Sequence, residues 1–415
     1  MDFLIIYGGR ILNGLLLLLA TRIYSTILSD YEIGLLGVVL ASLLFFSSII
    51  FFPIGSFINQ KILLWIREKR WKSILISYFF ALFFFFFFIS LISSFFIDSF
   101  TVLIGFFFLL SLSINQTFVP LLNVILHRKA FVSLTLLTSS FYILFSYNLT
   151  NIYKETAYFW IIGQSLSNLL FGLVAIFLFV KLTGSNFRFS YYKINRNDFI
   201  KLIQFIIPLA ITSLCTWLIL NSFKITGGIF IDLDEIAVLI LCSVLSAGVF
   251  GAIESATFQY FHAEFLNKLN VSQGRDARRI CFEIFFNKVF LILSISLIAL
   301  LILSPFIIGI ALDERFHKYY LIFQIFLVSD FLKNVNHLIS QFAYAEFKTK
   351  LLLKGNIFAA MFTISSVLLL FLIKPDNFIY LIPISIAISY LISILIQYNK
   401  AKNVYANLNL LRNKN

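Results

Sequence analysis

The chain has little of what a soluble domain of its length needs on its surface. Only 12% of its 415 residues are charged. No polar stretch is long enough to form a soluble domain, so any function is carried out inside a bilayer or at its faces. Cysteine is scarce: Cys215, Cys242 and Cys281 all fall in or at the edge of apolar segments. Three is an odd number and no CxxC occurs, which argues against a disulfide framework and a cysteine metal site. No GxxxxGK[ST] loop is found, so ATP does not drive the chain directly. GxSxG and HExxH are missing as well, and the four histidines are scattered. The expectation is a protein that is not an enzyme and needs no metal or organic cofactor. No cleavable signal pattern precedes the first apolar run, which leads straight into a second.

What is present is apolar. Hydrophobic residues make up 60% of the chain, and the mean hydropathy is +0.97. Phe alone supplies 53 residues, including the unbroken FFFFFF at 83–88, which reads as a lipid-facing helix surface. A spanning helix needs about 20 mostly apolar residues. Twelve such segments can be drawn: 3–28, 33–57, 73–96, 101–125, 131–149, 158–180, 201–226, 237–260, 281–311, 319–345, 355–373 and 379–398. The expected class is an all-α polytopic membrane protein, with twelve transmembrane helices in two six-helix bundles around a central cavity.

The net charge of +13 would suggest nucleic acid in a soluble protein, but the positions of the cations explain it otherwise. Lys61, Arg67, Lys69, Arg70 and Lys72 lie between the second and third spans. Arg128 and Lys129 lie between the fourth and fifth spans, and Lys181, Arg188, Lys193, Arg196 and Lys201 lie around the mid-chain connector. Lys268, Arg275, Arg278 and Arg279, then Lys348, Lys350 and Lys354, and finally Lys400, Lys402, Arg412 and Lys414 continue the series. The opposite loops are short and hold only Lys154, Arg315, Lys318 and Lys374. Basic loops face the cytoplasm. The expected topology has both termini cytoplasmic, with no nucleic-acid partner.

The longest hydrophilic connector, 181–200, lies near the middle, with six spans on either side. The expected domains are a lobe at 1–185, a cytoplasmic linker at 186–200, a lobe at 201–399 and a cytoplasmic tail at 400–415. The ends of the first and seventh spans also match. "RIYSTILSDYEIGLLGVVLA" runs from Arg22 and "KITGGIFIDLDEIAVLILCSVLSA" from Lys224. In each, a cation is followed eight residues on by an aspartate (Asp30, Asp232), then a second acid (Glu32, Asp234), then an apolar span. Because six is even, repeated halves would share an orientation.

Ionisable groups inside spans cost roughly 2.5–3.5 kcal/mol each on insertion scales, and mark cavities or pathways by default. Arg10 and Asn13 sit about one turn apart on one face of the first span. Arg22 and Lys224 lie toward the outer ends of spans one and seven. They either snorkel to headgroups or, as a matched pair with one from each lobe, face a central cleft. In span ten, Asp330, Lys333 and His337 fall on one stripe. They form either a packing ion pair or a proton or cation relay, for which Glu254 in span eight is another carboxylate. Glu283 and Lys288 read as interfacial. The candidate cationic cavity is Arg10, Asn13, Arg22, Lys224 and Lys333, which suits a diphosphate because guanidinium pairs bidentately with phosphate oxygens. Glu254, Asp330 and His337 are the ion-coupling candidates, for H+ or Na+. Pro208 in span seven is the candidate hinge.

With "ILSDYEIGLL" at 27–36, "KITGGIFIDLDEIAVL" at 224–239 and the twelve-span layout, the chain resembles the polysaccharide flippases of the multidrug/oligosaccharidyl-lipid/polysaccharide exporter superfamily. The resemblance covers the whole chain in layout and short stretches in sequence. It implies a flippase for undecaprenyl-diphosphate-linked oligosaccharide repeat units, of O-antigen or capsule type. Membrane lipid and other polysaccharide-assembly membrane proteins are the implied partners. Lys224 stands where the family has a cavity cation, although the family's Asp-Arg pair is here Phe223-Lys224. The family arginine of span one lies nearer the turn, at Thr26 here, one helical turn beyond Arg22. Two alternatives compete. A multidrug cation exporter of the same superfamily would need a cavity dominated by acids. A membrane polysaccharide polymerase would need a large outer loop.

Overall fold

The computed structural model describes residues 2–95, 98–184, 196–271, 275–345, 350–375 and 377–412. Most of the linker expected at 186–200, with Arg188 and Lys193, and the last residues of the tail expected at 400–415 lie outside the described residues. Among the described residues the chain is all-helical. It forms thirteen α-helices: α1 Asp2–Ile27, α2 Asp30–Phe46, α3 Phe52–Arg67, α4 Trp71–Ser93, α5 Ser99–Val124, α6 Arg128–Ile152, α7 Ala157–Leu182, α8 Arg196–Phe230, α9 Leu233–Val271, α10 Arg275–Ala311, α11 Tyr320–Ala345, α12 Lys350–Ile373 and α13 Phe378–Arg412. A π turn, Ser47–Phe51, joins α2 to α3 into a single rod. Twelve rods result, as the hydropathy pattern predicts.

Eleven of the rods are long and apolar enough to cross a membrane. The exception is α11, which carries Asp330, Lys333, Asn334, Asn336, His337 and Gln341 along one length. It spans by length but is wrapped in protein: its Leu338 and Asn334 are fully buried. Four rods overrun the sequence boundaries. At 35 to 39 residues, α8, α9, α10 and α13 are longer than a bilayer is thick, because roughly 20 residues suffice to span. The second rod also runs on past the expected end at 57. Ile58, Ile62 and Trp65 keep an i, i+4, i+7 stripe buried, so residues 58–67 continue as an amphipathic helix where a loop is expected.

The π turn has an identifiable cause. Pro53 cannot donate the hydrogen bond that a straight helix needs there. The widened turn absorbs the fault, and Ser47 Oγ donates to Gln116 Oε1 of α5 at 3.1 Å.

The chain divides into two compact units. One holds Met1–Ile5 and Ile27–Ser213; the other holds Ile6–Thr26 and Leu214–Asn415. These units differ from the halves drawn at 185 and 201 in two places. Nearly all of α1 belongs with the second half, and α8 passes from the first unit into the second between Ser213 and Leu214.

Each unit follows the same packing plan. In the first, α7 lies against both α5 and α6; in the second, α13 lies against both α11 and α12. Close approach is built in by glycine. A Cβ on Gly163 of α7 would collide with the Ser146 backbone of α6. A Cβ on Gly355 of α12 would sit 3.1 Å from the Ser393 carbonyl of α13. Small residues matter here because helix association in lipid rests on packing and interhelical hydrogen bonds. Beside Gly355, Asn356 Oδ1 accepts from Ser393 Oγ at 2.9 Å and from Gln397 Nε2 at 3.1 Å.

The matched motifs after the first and seventh rods have a structural role. Ser29 caps α2, its hydroxyl accepting from the Glu32 amide at 3.2 Å. Glu32 Oε2 then accepts from the Ala157 amide, at the first turn of α7, at 2.7 Å. In the second unit Glu235, in the first turn of α9, pairs with Lys374 just beyond α12 at 3.0 Å. In both units a carboxylate at the start of one rod holds a later connection, at the start of α7 in the first and just after α12 in the second. Glu32 sits where the α7 dipole favours negative charge. Replacing Glu32 with Ala is expected to lower the unfolding free energy by about 1 kcal/mol. Glu32→Gln should lose less, as read by thermal unfolding of the purified protein in detergent.

Candidate functional site

The intramembrane charges collect in the second unit. Arg10, Asn13 and Arg22 lie on the part of α1 that belongs to it, with Lys224 on α8, Glu254 on α9, and Asp330, Lys333 and His337 on α11. The expectation of one cation from each lobe is therefore not what is seen: Arg22 and Lys224 belong to the same unit. Pro208 is buried inside α8, in the first unit, shortly before the helix crosses into the second.

Helix α1 is held closely to α9. A Cβ on Gly14 would lie 2.7 Å from Ala252 Cβ, and Tyr7 Oη is 3.4 Å from Thr257 Oγ1. Arg10 falls between Tyr7 and Gly14 and is half-buried on that side; Asn13 is half-buried too. Ile11, Leu12, Leu15 and Leu19 are exposed, as a lipid-facing side requires. At the other end of α1, the Ser25 carbonyl accepts from Arg315 Nη2 at 2.6 Å, and Ser25 Oγ accepts from the Asp313 amide at 3.2 Å. The connection before α11 thus clasps the end of α1 near Arg22. The Arg22 Nη1 atom itself is buried, and no acceptor reaches it among the described residues.

The acids are already engaged. Asp330 Oδ1 lies 2.6 Å from Lys333 Nζ, and Asp330 Oδ2 accepts from Ser246 Oγ of α9 at 2.6 Å. Lys333 also lies within the electrostatic reach of Glu254. Of the two sequence alternatives for span ten, the local ion pair is formed. Lys333, one of the expected cavity cations, has its charge cancelled by Asp330. Lys224 donates to Asn221 Oδ1 at 3.1 Å and feels Asp330 only at longer range. Among the described residues it has no carboxylate within ion-pair distance.

Glu254 and His337 come together from two helices. Glu254 Oε1 is 2.7 Å from His337 Nδ1, and Gln341 Nε2 is 2.8 Å from His337 Nε2. An amide N–H donating to Nε2 leaves the ring proton on Nδ1, where it faces the carboxylate. Phe258 stacks on the imidazole at 4.9 Å and 12°. The arrangement can pass a proton between acid and base, because the pair is half open: the His337 side chain is 44% exposed and that of Glu254 17%. The three ion-coupling candidates thus lie on the facing helices α9 and α11.

Several contributors are not singled out by the sequence. Gln341 continues the stripe of Asp330, Lys333 and His337 at the next helical step, so extending that pattern would find it. Ser246, Phe258 and Tyr390 have no such signal. Tyr390, buried on α13, lies within electrostatic reach of both Asp330 and Glu254.

No protein-family model and no curated protein matches the chain. Solved structures do match in fold. The chain superposes on a lipid II flippase, MurJ, in an inward closed conformation, with TM-score 0.69 and 13% identity, covering 97% of this chain and 87% of that one. It superposes on an outward-facing multidrug resistance MATE family transporter of the MOP superfamily, with TM-score 0.62 and 11% identity over 98% and 96% of the two chains. A MOP superfamily transporter from Pyrococcus furiosus, described as having a binding pocket of reversed polarity, gives TM-score 0.61 and 11% identity over 96% and 95%. At these identities the likeness establishes the fold: a polytopic helical architecture shared with flippases and multidrug exporters.

The Asp330–Lys333 pair yields a double-substitution test. Asp330→Asn deprives the partly buried Lys333 ammonium of its nearest counter-ion and should cost up to about 3 kcal/mol. Asp330→Asn combined with Lys333→Met should recover most of that loss. Thermal unfolding of the three proteins in one detergent reads the result.

Proposed function

We propose that the chain is a flippase for a lipid-linked oligosaccharide that carries a diphosphate. The observation that carries this reading is the buried Arg22 Nη1, which has no acceptor among the described residues. A buried donor without a partner calls for an absent ligand or water. A guanidinium selects planar, bidentate oxyanions such as phosphate. Lys224, with no carboxylate within ion-pair distance among the described residues, adds a second cation in the same unit. Arg10 and Asn13 add a second polar patch further along α1 as a substrate-contacting surface. Likeness of fold to a lipid II flippase supports the choice of a lipid-linked cargo.

In this reading the polyprenyl tail stays in lipid while the charged headgroup crosses, and the site opens alternately to the two faces of the membrane. Pro208 supplies the bend near the point where α8 passes between units. Energy comes from H+ or Na+, with the Glu254–His337 pair and Asp330 as the coupling groups. O-antigen or capsule repeat units, a bacterial inner membrane and cytoplasmic termini belong to the same proposal.

A multidrug cation exporter has one observation in its favour: Glu254 and Asp330 are the acids such a cargo would need. Both are already bonded, to His337 and to Lys333 with Ser246. This is why the anionic cargo is preferred.

The test is genetic. A host lacking the gene should lose surface polysaccharide and accumulate lipid-linked units inside. Wild type should restore it; Arg22→Ala and Lys224→Ala at matched membrane levels should not, and Arg22→Lys should restore it in part. Unchanged polysaccharide in the deletion strain would remove the flippase reading. Full rescue by both alanine variants would keep the function and discard this site.

A further inference from the structure

The first unit carries a slot that the transport reading does not use. It is about 520 Å³ in volume and lies among α4, α5 and α7. Leu75, Phe79 and Phe83 of α4 face Ile114 and Phe118 of α5 across it, with Ile176 of α7 closing the side. Every lining side chain is aliphatic or aromatic except Lys72, which stands at one end. The wall is preset: Phe79 stacks on Phe118 at 5.2 Å and 11°, and Trp71 packs edge-on against Phe179 at 5.0 Å.

Length and charge together suggest what fills it. From Trp71 to Phe83 the helix rises about 18 Å, close to the ~15 Å of one leaflet's hydrocarbon. The three helices around the slot are all apolar enough to span a bilayer, so its open side meets lipid. Cations gather at the Lys72 end only. Arg70, whose guanidinium pairs with Glu68, immediately precedes α4, and Lys181 follows the lining residue Val180 in the last turn of α7. The opposite end, around Phe83, has no charged lining residue, and Phe83 packs edge-on to Phe106 at 5.8 Å. An apolar slot one leaflet deep with basic groups at one mouth complements an amphiphile with one long chain and an anionic head.

We propose that this slot is a binding site for an anionic membrane phospholipid. One acyl chain lies along α4 between α5 and α7, and the phosphate sits against Lys72. The occupant is a bulk lipid such as phosphatidylglycerol. It is distinct from the lipid-linked cargo, whose proposed contacts lie in the other unit.

Native mass spectrometry of delipidated protein, titrated separately with phosphatidylglycerol, phosphatidylcholine and undecaprenyl phosphate, tests it. One phosphatidylglycerol should be retained with at least five-fold higher affinity than phosphatidylcholine. Lys72→Ala should lower phosphatidylglycerol affinity about five-fold and leave phosphatidylcholine unchanged, as expected for one lysine near the membrane surface. Ile76→Trp should fill the slot and abolish the tight phosphatidylglycerol species, while Ile76→Ala retains it; gel filtration reports whether each variant is folded. Equal retention of the two phospholipids, or tight binding that survives both Lys72→Ala and a folded Ile76→Trp, would overturn the proposal. Preferential retention of undecaprenyl phosphate with no preference for phosphatidylglycerol would overturn it too, by giving the slot to the cargo's tail.

Discussion

A charge inside a bilayer must find a partner in the protein, because no water is at hand to solvate it. This constraint organises the second unit. Asp330, Lys333, Glu254 and His337 are drawn from two helices into contacts of 2.6 to 2.7 Å. Helix α11 can be the least apolar rod only because α9, α10 and α13 pack around it. The first unit shows the complementary solution. Its core is apolar, built on Ile62, Leu121, Leu122 and Phe179, and its outer surface exposes phenylalanines of the 83–88 run.

The same constraint explains the shared packing plan. Backbone approach through Gly163 and Gly355 replaces the hydrophobic drive that soluble helices would have. The carboxylate clips at Glu32 and Glu235 secure the start of α7 in the first unit and the end of α12 in the second. A motif that resembles a family signature is therefore accounted for, at Ser29 and Glu32, by capping and by holding a neighbouring helix. The cargo need not be invoked for those residues.

The twelve rods were legible in the sequence because apolar length is a strong signal. Their ends were less so. The amphipathic run at 58–67 reads as a basic loop until Ile58, Ile62 and Trp65 are placed on one side. The Asp330, Lys333 and His337 stripe was legible from helical spacing alone, but its partners were not. Spacing within α11 cannot say that α9 brings Ser246 and Glu254 against it. Nor does chain order reveal that most of α1 belongs with the second unit, since that grouping rests on contacts such as Gly14 against Ala252 and Arg315 on Ser25. Counting cations also overstated the basic surplus, because Lys333 is neutralised by an acid three residues away.

What remains after these pairings is a unit whose acids are engaged and whose Arg22 keeps a buried donor open. The account thus turns on the sign of the charge that the unit accepts. The most direct measurement is calorimetric titration of the purified protein with geranylgeranyl diphosphate, a soluble polyprenyl diphosphate, and in parallel with tetraphenylphosphonium. Binding of the diphosphate that weakens at least ten-fold in Arg22→Ala, with no binding of the phosphonium, is the predicted result. Binding of tetraphenylphosphonium that is lost in Glu254→Gln, with none of the diphosphate, would contradict the account and identify a cation exporter instead.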